Sequence, residues 1–138
     1  MRDRLTNTTR SASYGGDIHY QPSISADGRY IAFTREGTWQ PSNDSNGFWD
    51  VIVFDQTTAT QEVLSKAADG TQSNGNSIGS SVSADGRYVA FESDATNLAA
   101  GDSNGVMDIY IRDRVTGVNE TDEPVDKQYK TFMIEGGW

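Results

Sequence analysis

The sequence predicts an all-β fold made of four-stranded antiparallel units, and three observations support this prediction. Two segments recur almost unchanged, in the same order and at the same separation. Within each copy the side chains alternate with a period of two residues, which is the spacing of a strand and not of a helix. Asp-Gly and Asn-Gly pairs, which favour tight turns, stand directly before the apolar runs. Only residues 97–100 hint at a helical turn.

The repeated segments define the unit. Residues 25–33 return as residues 83–91 with a single difference, Ile31 against Val89, and the loop at residues 44–50 returns at 102–108. A third, partial copy opens the chain, because residues 2–6 match residues 112–116. The chain is therefore expected to begin in the middle of a unit.

Each unit is expected to contain four strands. The innermost strand is predicted near residues 23–25 and 80–83, the second at 29–34 and 87–92, the third at 50–55 and 108–113, and the outermost at 60–65. Residues 8–13 are predicted to form an outer strand whose blade lies elsewhere. Four-stranded antiparallel units that recur at this spacing are typical of β-propeller blades. Residues 1–117 thus hold about two blades, and residues 118–138 are predicted to be an acidic linker with a strand-like tail.

The composition limits the classes of function. The chain has 138 residues, with 11 Lys or Arg against 20 Asp or Glu, so its formal net charge at pH 7 is −9. This balance argues against a protein that binds the phosphate backbone of nucleic acids. The absence of cysteine excludes disulfides and thiolate chemistry. No apolar run reaches the roughly 18 residues of a membrane span, and the first residues lack the apolar stretch of a signal peptide. Neither nucleic acid nor a membrane is expected as a partner.

The repeated motifs resemble those of a known family. Ser-x-Asp-Gly-Arg-Tyr, the Asp-x-Asn-Gly-x-x-Asp loop and the Arg-Asp-Arg-x-Thr ending are similar to the TolB-type WD40-like β-propeller repeat, over residues 1–117. That family usually has Ser-Pro-Asp-Gly where this chain has Ser-Ala-Asp-Gly, a difference that alters the rigidity of the turn. The resemblance implies a scaffold or binding module in a periplasmic or extracellular location, and it implies no reaction.

Two blades leave a propeller incomplete, because closed propellers have at least about four. In one arrangement, three copies of the chain form a six-bladed ring, or four copies an eight-bladed ring, and the N-terminal strand is a latch that completes the last blade. The trimer is preferred because six-bladed rings are common for the repeat that this chain resembles. In the other arrangement, the chain is a piece of a longer propeller.

The two acidic loops are candidate calcium sites. The first holds Asp44, Asn46 and Asp50, and the second holds Asp102, Asn104 and Asp108. Calcium takes about six to eight oxygen ligands, and Asp and Asn side chains ahead of a Gly turn can direct several of them at one ion. The pattern is shorter than an EF-hand loop and lacks its distal Glu. The alternative is a tight turn whose backbone is hydrogen-bonded by the Asp side chains without a metal.

Other polar and aromatic residues have simpler interpretations. Asp27 and Asp85 precede Gly in both copies, which favours a role in the turn. Arg29 and Arg87 are expected to pair with carboxylates such as Asp55 and Asp113, with little energy if the pairs are exposed.

Two residues are candidates for ligand binding. His19 is the only histidine, and it precedes the innermost strand, where propellers line their channel. Trp39 lies in the loop between the second and third strands, where it could stack on a sugar ring or anchor a peptide. The sequence contains no nucleophile elbow, phosphate loop or His-Glu-x-x-His motif, and no catalytic residue is assigned.

The sequence therefore predicts a non-enzymatic β-propeller module that self-assembles into a closed ring and binds a protein or carbohydrate partner. One alternative is a calcium-dependent lectin-like propeller that uses loop aromatics. Another is an accessory fragment of a larger secreted hydrolase whose catalytic residues lie outside these residues.

Overall fold

The computed structural model describes residues 2–13, 18–37, 44–102 and 104–121. Their strands are β1 (Arg2–Asp3), β2 (Thr8–Thr9), β3 (His19–Ile24), β4 (Tyr30–Arg35), β5 (Asp50–Asp55), β6 (Thr60–Val63), β7 (Ser77–Val82), β8 (Tyr88–Ser93), β9 (Asp108–Asp113) and β10 (Val118–Thr121). They form two four-stranded antiparallel sheets, β3-β4-β5-β6 (blade 1) and β7-β8-β9-β10 (blade 2), and a two-stranded sheet, β1-β2. The predicted all-β fold is confirmed. Within the described ranges, no helix is long and apolar enough to span a membrane.

Blade 2 contains an outer strand that the sequence analysis missed. The predicted linker from residue 118 onward is wrong for residues 118–121, which form β10 and pair with β9 along their whole length. The strand is inconspicuous in the sequence because its buried residue is polar. The side-chain amide of Asn119 donates hydrogen bonds to the backbone carbonyls of Lys66 and Leu98. Since β10 already lies beside β9, the latch predicted for the N-terminal strand is also wrong, and residues 122–138 lie outside the described part of the chain.

The innermost strands begin earlier than predicted. β3 starts at His19 and β7 starts at Ser77, in each case several residues before the predicted position. The pairing register shifts within both strands, and the shifts contain Gln21, with φ of 51°, and Gly79, with φ of 68°. Such bulges interrupt the alternation of side chains on which the sequence prediction depends.

Two outer strands are shorter than predicted. The predicted strand at residues 8–13 is observed as β2, which pairs with β1, and β6 ends at Val63 rather than at residue 65. Leu64 and Ser65 follow β6 and are fully buried. These residues therefore belong to the connection between blades and not to the edge of the sheet.

The larger hydrophobic core lies between the two blades. Its buried members are Ala32, Val51, Val53, Leu64, Val82, Val89, Phe91, Ala95, Leu98 and Tyr110. Both blades contribute to this set, together with Leu64 from the connection between the blades and with Ala95 and Leu98 from the loop between β8 and β9. Burial of apolar surface stabilises by roughly 25 cal/mol per Å², so these residues stabilise the contact between the blades.

Hydrogen bonds between the inner strands and beside them fix the position of one blade on the other. The backbone N–H of Ala26 donates to the carbonyl of Ala84, and the N–H of Ser77 donates to that of Trp49. The N–H of Val82 donates to the hydroxyl of Ser23, at 2.9 Å. The interface thus combines apolar packing with hydrogen bonds that fix the relative orientation of the blades.

Candidate interaction surfaces

A tyrosine and a glycine meet at one end of the interblade interface. The ring of Tyr30, in blade 1, lies so close to Gly86, in blade 2, that a Cβ at position 86 would overlap it. The guanidinium groups of Arg29 and Arg114 lie 4.8 and 4.3 Å from the centroid of the ring. Arg114 also donates a hydrogen bond of 2.6 Å to the carbonyl of Gly86. Cation–π attraction and the missing side chain of glycine together hold this contact.

The ion pairs predicted within each blade are confirmed. Arg29 pairs with Asp55 and Arg87 pairs with Asp113, each at 2.8 Å. The hydrogen bonds from these guanidinium groups lower the pKa of Asp55 and of Asp113 to about 2. The arginine side chains are 40% and 41% exposed, so screening by water keeps the stabilisation of each pair small.

The turn role predicted for Asp27 and Asp85 is also confirmed. The carboxylate of Asp27 accepts hydrogen bonds from the Ser25 hydroxyl, at 2.6 Å, and from the Arg29 N–H, at 2.9 Å. Asp85 accepts the equivalent pair in blade 2. The side-chain hydrogen bond from the serine contributes most to lowering the pKa of each aspartate.

Blade 2 presents a second face that blade 1 does not cover. Alternate residues of β8 and β9 point toward blade 1, so the residues between them point away from it. We define the outer face of blade 2 by Tyr88, Ala90, Ile109 and Ile111. Ile109 is 43% exposed, and Val106 and Met107 beside it are exposed as well. Exposed apolar residues grouped along one strand and the loop before it are typical of a contact surface.

Blade 1 also presents an outer face. We define it by Ile31, Phe33, Ile52 and Phe54, which form a second apolar cluster together with Ala12 and Val63. The neighbouring strand β3 exposes Tyr20 and Ile24 to solvent. The four residues of the outer face itself are only 1–6% exposed, so this face is already shielded from solvent, in part by Ala12 of the N-terminal segment.

A cavity of about 220 Å³ opens on the outer face of blade 1. It is lined by Ala12, Ser13, His19, Tyr20, Pro22, Ile31 and Phe33. The ring of His19 lies edge-on to that of Phe33, with 5.3 Å between the centroids. The structure thus places the candidate ligand residue His19 in the wall of a cavity. The other candidate, Trp39, lies outside the described residues.

The two outer faces resemble the two halves of the interblade interface. The outer face of blade 2 carries residues similar to those with which blade 1 contacts blade 2. The outer face of blade 1 matches the contacting face of blade 2 along β4 but not along β5, where Ile52 and Phe54 stand at the positions of Tyr110 and Arg112. The equivalent positions are Ala32 and Ala90, Val53 and Ile111, Ile31 and Val89, and Phe33 and Phe91. The outer face of blade 2 therefore offers another blade the same kind of surface that blade 1 offers to blade 2, and the outer face of blade 1 does so along β4.

The first acidic loop brings two carboxyl groups together. Asp44 and Asp50 are both buried, and Asp50 accepts a hydrogen bond of 2.5 Å from the hydroxyl of Ser65. Burial raises the pKa of Asp50 to about 7, and the adjacent carboxyl of Asp44 adds to that rise. The side-chain amide nitrogen of Asn46 donates its hydrogen bond to the backbone carbonyl of Ser73 and not to either carboxyl group.

The second acidic loop is arranged differently. Asp102 is buried and accepts a hydrogen bond from the hydroxyl of Tyr110. Asn104 is exposed, and its side-chain oxygen accepts a hydrogen bond from the N–H of Val106, at 2.9 Å. Asp108, at the start of β9, is half-buried. The Asn side chains of both loops thus contribute to turns.

Calcium binding at these loops stays a prediction. Among the described residues, no group of three or more His, Asp or Glu could hold a metal ion. If calcium binds, an ion concentration of about 100 times Kd raises the free energy of unfolding by about 2.7 kcal/mol over that in chelator. We expect the double substitution Asp50→Asn and Asp108→Asn to remove this difference, as measured by thermal melting with magnesium as the control ion. An unchanged melting temperature of the natural sequence with and without chelator would contradict the prediction.

The contact of Tyr30 with Gly86 and Arg114 was not predicted. Its signal was present in the sequence, since both copies keep Gly-Arg-Tyr after the same aspartate. A tight turn is enough to account for a glycine at this position. The repeat alone therefore does not show whether the glycine also contacts the neighbouring blade.

Comparison with known proteins supports the fold. No protein-family model matches the sequence, and no curated protein matches it significantly. Among solved structures, the chain is similar to the putative TolB from Agrobacterium tumefaciens, with 19% identity and a TM-score of 0.53 over 78% of this chain and 31% of that one. It also matches TolB from Acinetobacter baumannii, with 18% identity and a TM-score of 0.35 over 89% of this chain and 37% of that one.

These similarities concern the fold alone. The chain spans about a third of the length of the two TolB structures. Together with the two four-stranded blades, the first of them confirms the TolB-like propeller fold that the repeated motifs led us to expect.

Proposed function

We propose that this chain is a non-enzymatic interaction module of a β-propeller, in which further blades of the same repeat type lie beyond its two outer faces. The observation that supports this is the similarity of those faces to the two halves of the interblade interface. A blade placed on the outer face of blade 2 would set its Asp-Gly turn against Tyr88, as Gly86 lies against Tyr30. Repeat units of this kind need neighbours to bury their faces.

We propose that these neighbouring blades come from additional sequence of the same polypeptide and not from further copies of this chain. Blade 2 already has four strands, so it needs no strand from a neighbouring N-terminus. When residues 2–6 are aligned with residues 54–58, Ala12 takes the position of Leu64. Ala12 packs on the outer face of blade 1, as Leu64 packs between the blades. The segment that holds Ala12 thus packs on blade 1 as a connection from a preceding blade would, and this supports our choice of a longer propeller over the trimeric ring.

Light scattering tests this proposal. We expect the chain in solution to have the mass of one copy, 15.1 kDa. A particle of three or four chains would overturn the proposal and favour the ring of copies. In that case Ile109→Asp, on the outer face of blade 2, would return the protein to single chains, whereas Val115→Asp, on a turn where the side chain is 75% exposed, would not.

We further propose that the partner of the completed propeller is a protein, in a periplasmic or extracellular location. The support for a protein partner is β3, whose exposed Tyr20, Pro22 and Ile24 lie where propellers line their channel. The location follows from the family resemblance. The lectin alternative depends on calcium and on Trp39, so a glycan array in the presence of calcium is expected to give no signal, and a calcium-dependent signal would overturn the choice of partner.

A further inference from the structure

The two-stranded sheet near the N-terminus has the structure of the outer half of a blade. Its strands pair in the same register as the two outer strands of blades 1 and 2, with the pairs Asp3 and Thr8, Asp55 and Thr60, and Asp113 and Val118. The residue before the outer strand has a positive φ in all three, at Asn7 (58°), Ala59 (56°) and Gly117 (73°). The β1-β2 sheet is therefore a third copy of one structural element.

The aspartate of this element has two roles in the complete blades. One carboxylate oxygen of Asp3 accepts hydrogen bonds from the N–H groups of Leu5 and Thr6, and Asp113 accepts the equivalent pair in blade 2. The carboxylate of Asp113 also pairs with Arg87, from the Ser-x-Asp-Gly-Arg turn of the same blade. Among the residues that the structure describes, none makes a salt bridge with Asp3, whose pKa is lowered by the hydrogen bonds from Thr6 and Leu5 and by the charge of Arg10. The second role of Asp3 is thus left open.

The residue after the aspartate contacts the same turn. Arg114 donates a hydrogen bond to the carbonyl of Gly86, and Gln56 donates one to the carbonyl of Gly28. Arg4 holds this position in the β1-β2 sheet. Strand β1 pairs only with β2 among the described strands, so its other edge offers unpaired backbone groups to a further strand.

We infer that the β1-β2 sheet is a binding site for the inner strand pair of a preceding blade, recognised through a Ser-x-Asp-Gly-Arg turn. The arginine of that turn pairs with Asp3, its glycine carbonyl accepts a hydrogen bond from Arg4, and its second strand adds to the open edge of β1. This inference rests on the proposed function, and it adds the residues that recognise the missing blade. Opposite charges and continuity with the register of blades 1 and 2 support this occupant over a second copy, whose own two turns are already paired.

A chain with a third complete repeat tests the inference. A copy of residues 18–52 is fused directly ahead of Met1, so that Met1 takes the position that Val53 has in blade 1. We expect the amide hydrogens of residues 2–9 to exchange at least about tenfold more slowly in the fused chain. In that chain β1 lies between two other strands of the sheet, and neither of its edges is open.

An isosteric substitution separates the ion pair from the turn. Asp3→Asn keeps the oxygen that caps the turn and removes the charge. In the fused chain it should lower the melting temperature as much as Asp55→Asn does in blade 1, by a few degrees. In the unfused chain its effect should be clearly smaller, since only the hydrogen bonds of its own turn and the charge of Arg10 favour the ionised form there. Equal effects of Asp3→Asn in both chains would show that Asp3 serves only its own turn and would overturn the inference.

Two further outcomes are decisive. If the fused chain folds and residues 2–9 exchange as fast as in the unfused chain, the inference is wrong while the proposed function stands on its light-scattering result. If the fused chain does not fold, a peptide of residues 18–35 is added to the natural chain, and chemical-shift changes confined to residues 2–9 support the inference. The absence of such changes, or equal changes with an Arg29→Ala peptide, overturns it.

Discussion

Replacement of Gly86 by alanine is expected to lower the free energy of unfolding by about 2–5 kcal/mol, as measured by urea denaturation. Two causes add here. The backbone of Gly86 has φ of 75°, which costs an L-residue about 1–2 kcal/mol. The new methyl group would also overlap the ring of Tyr30, which two arginines hold in place. Overpacking of this kind costs about 1–3 kcal/mol.

Gly28 provides the matched control. It has the same φ of 75°, but the nearest atom to a Cβ at this position is the Cδ1 of Ile24, at an ordinary 3.9 Å. Gly28→Ala should therefore lower the free energy of unfolding only through the positive φ, by about 1–2 kcal/mol. In a Tyr30→Ala background the cost of Gly86→Ala should fall by at least about 1 kcal/mol. Equal losses at the two glycines would contradict the tyrosine contact.

The stability of the protein is expected to fall as the pH rises from about 4 to about 7, because of Asp50. Burial raises its pKa to about 7 in the folded state, above the ordinary value of 3.8. The folded protein thus holds a proton that the unfolded chain releases, and the free energy of unfolding decreases with pH between these two values. We expect a loss of about 2–4 kcal/mol between pH 4.5 and pH 8, measured by urea denaturation in the presence of chelator.

Asp50→Asn should remove most of this pH dependence. Asparagine resembles the protonated acid in shape and carries no charge at any of these pH values. Asp55→Asn is the contrasting variant, since the pKa of Asp55 is lowered to about 2 and its contribution is lost only as the pH falls from about 4 toward 2. A slope between pH 4.5 and pH 8 that survives Asp50→Asn would assign the dependence to another group.

The sequence was sufficient to predict the blades because turn residues and strand residues repeat together. Asp27 and Arg29 make the contacts that their spacing predicts, since both act within one turn and one strand pair. The limits appear where a residue depends on a distant part of the chain. Asn119 is buried against Lys66 and Leu98, and no local pattern distinguishes such a strand from a polar linker.

The candidate site was harder to predict than the fold for the same reason. The proximity of Asp44 and Asp50 could be proposed from their loop, but their burial depends on the neighbouring connection that contains Ser65. The cavity beside His19 depends on the return of the N-terminal segment over blade 1. The spacing of residues along the sequence shows neither that the two aspartates are buried nor which residues form the wall of the cavity.

The contact between Tyr30 and Gly86 gives the stack of blades a polarity. One side of each blade carries the tyrosine and the other carries the glycine that receives it, so two blades cannot associate through identical sides about a two-fold axis. Tyr88 against a second Tyr88 would leave both rings without a recess. Association in the stack is therefore heterologous, with every blade in the same orientation and two different ends. A molecule that imitates only one of the two sides would block one end and leave the other end open.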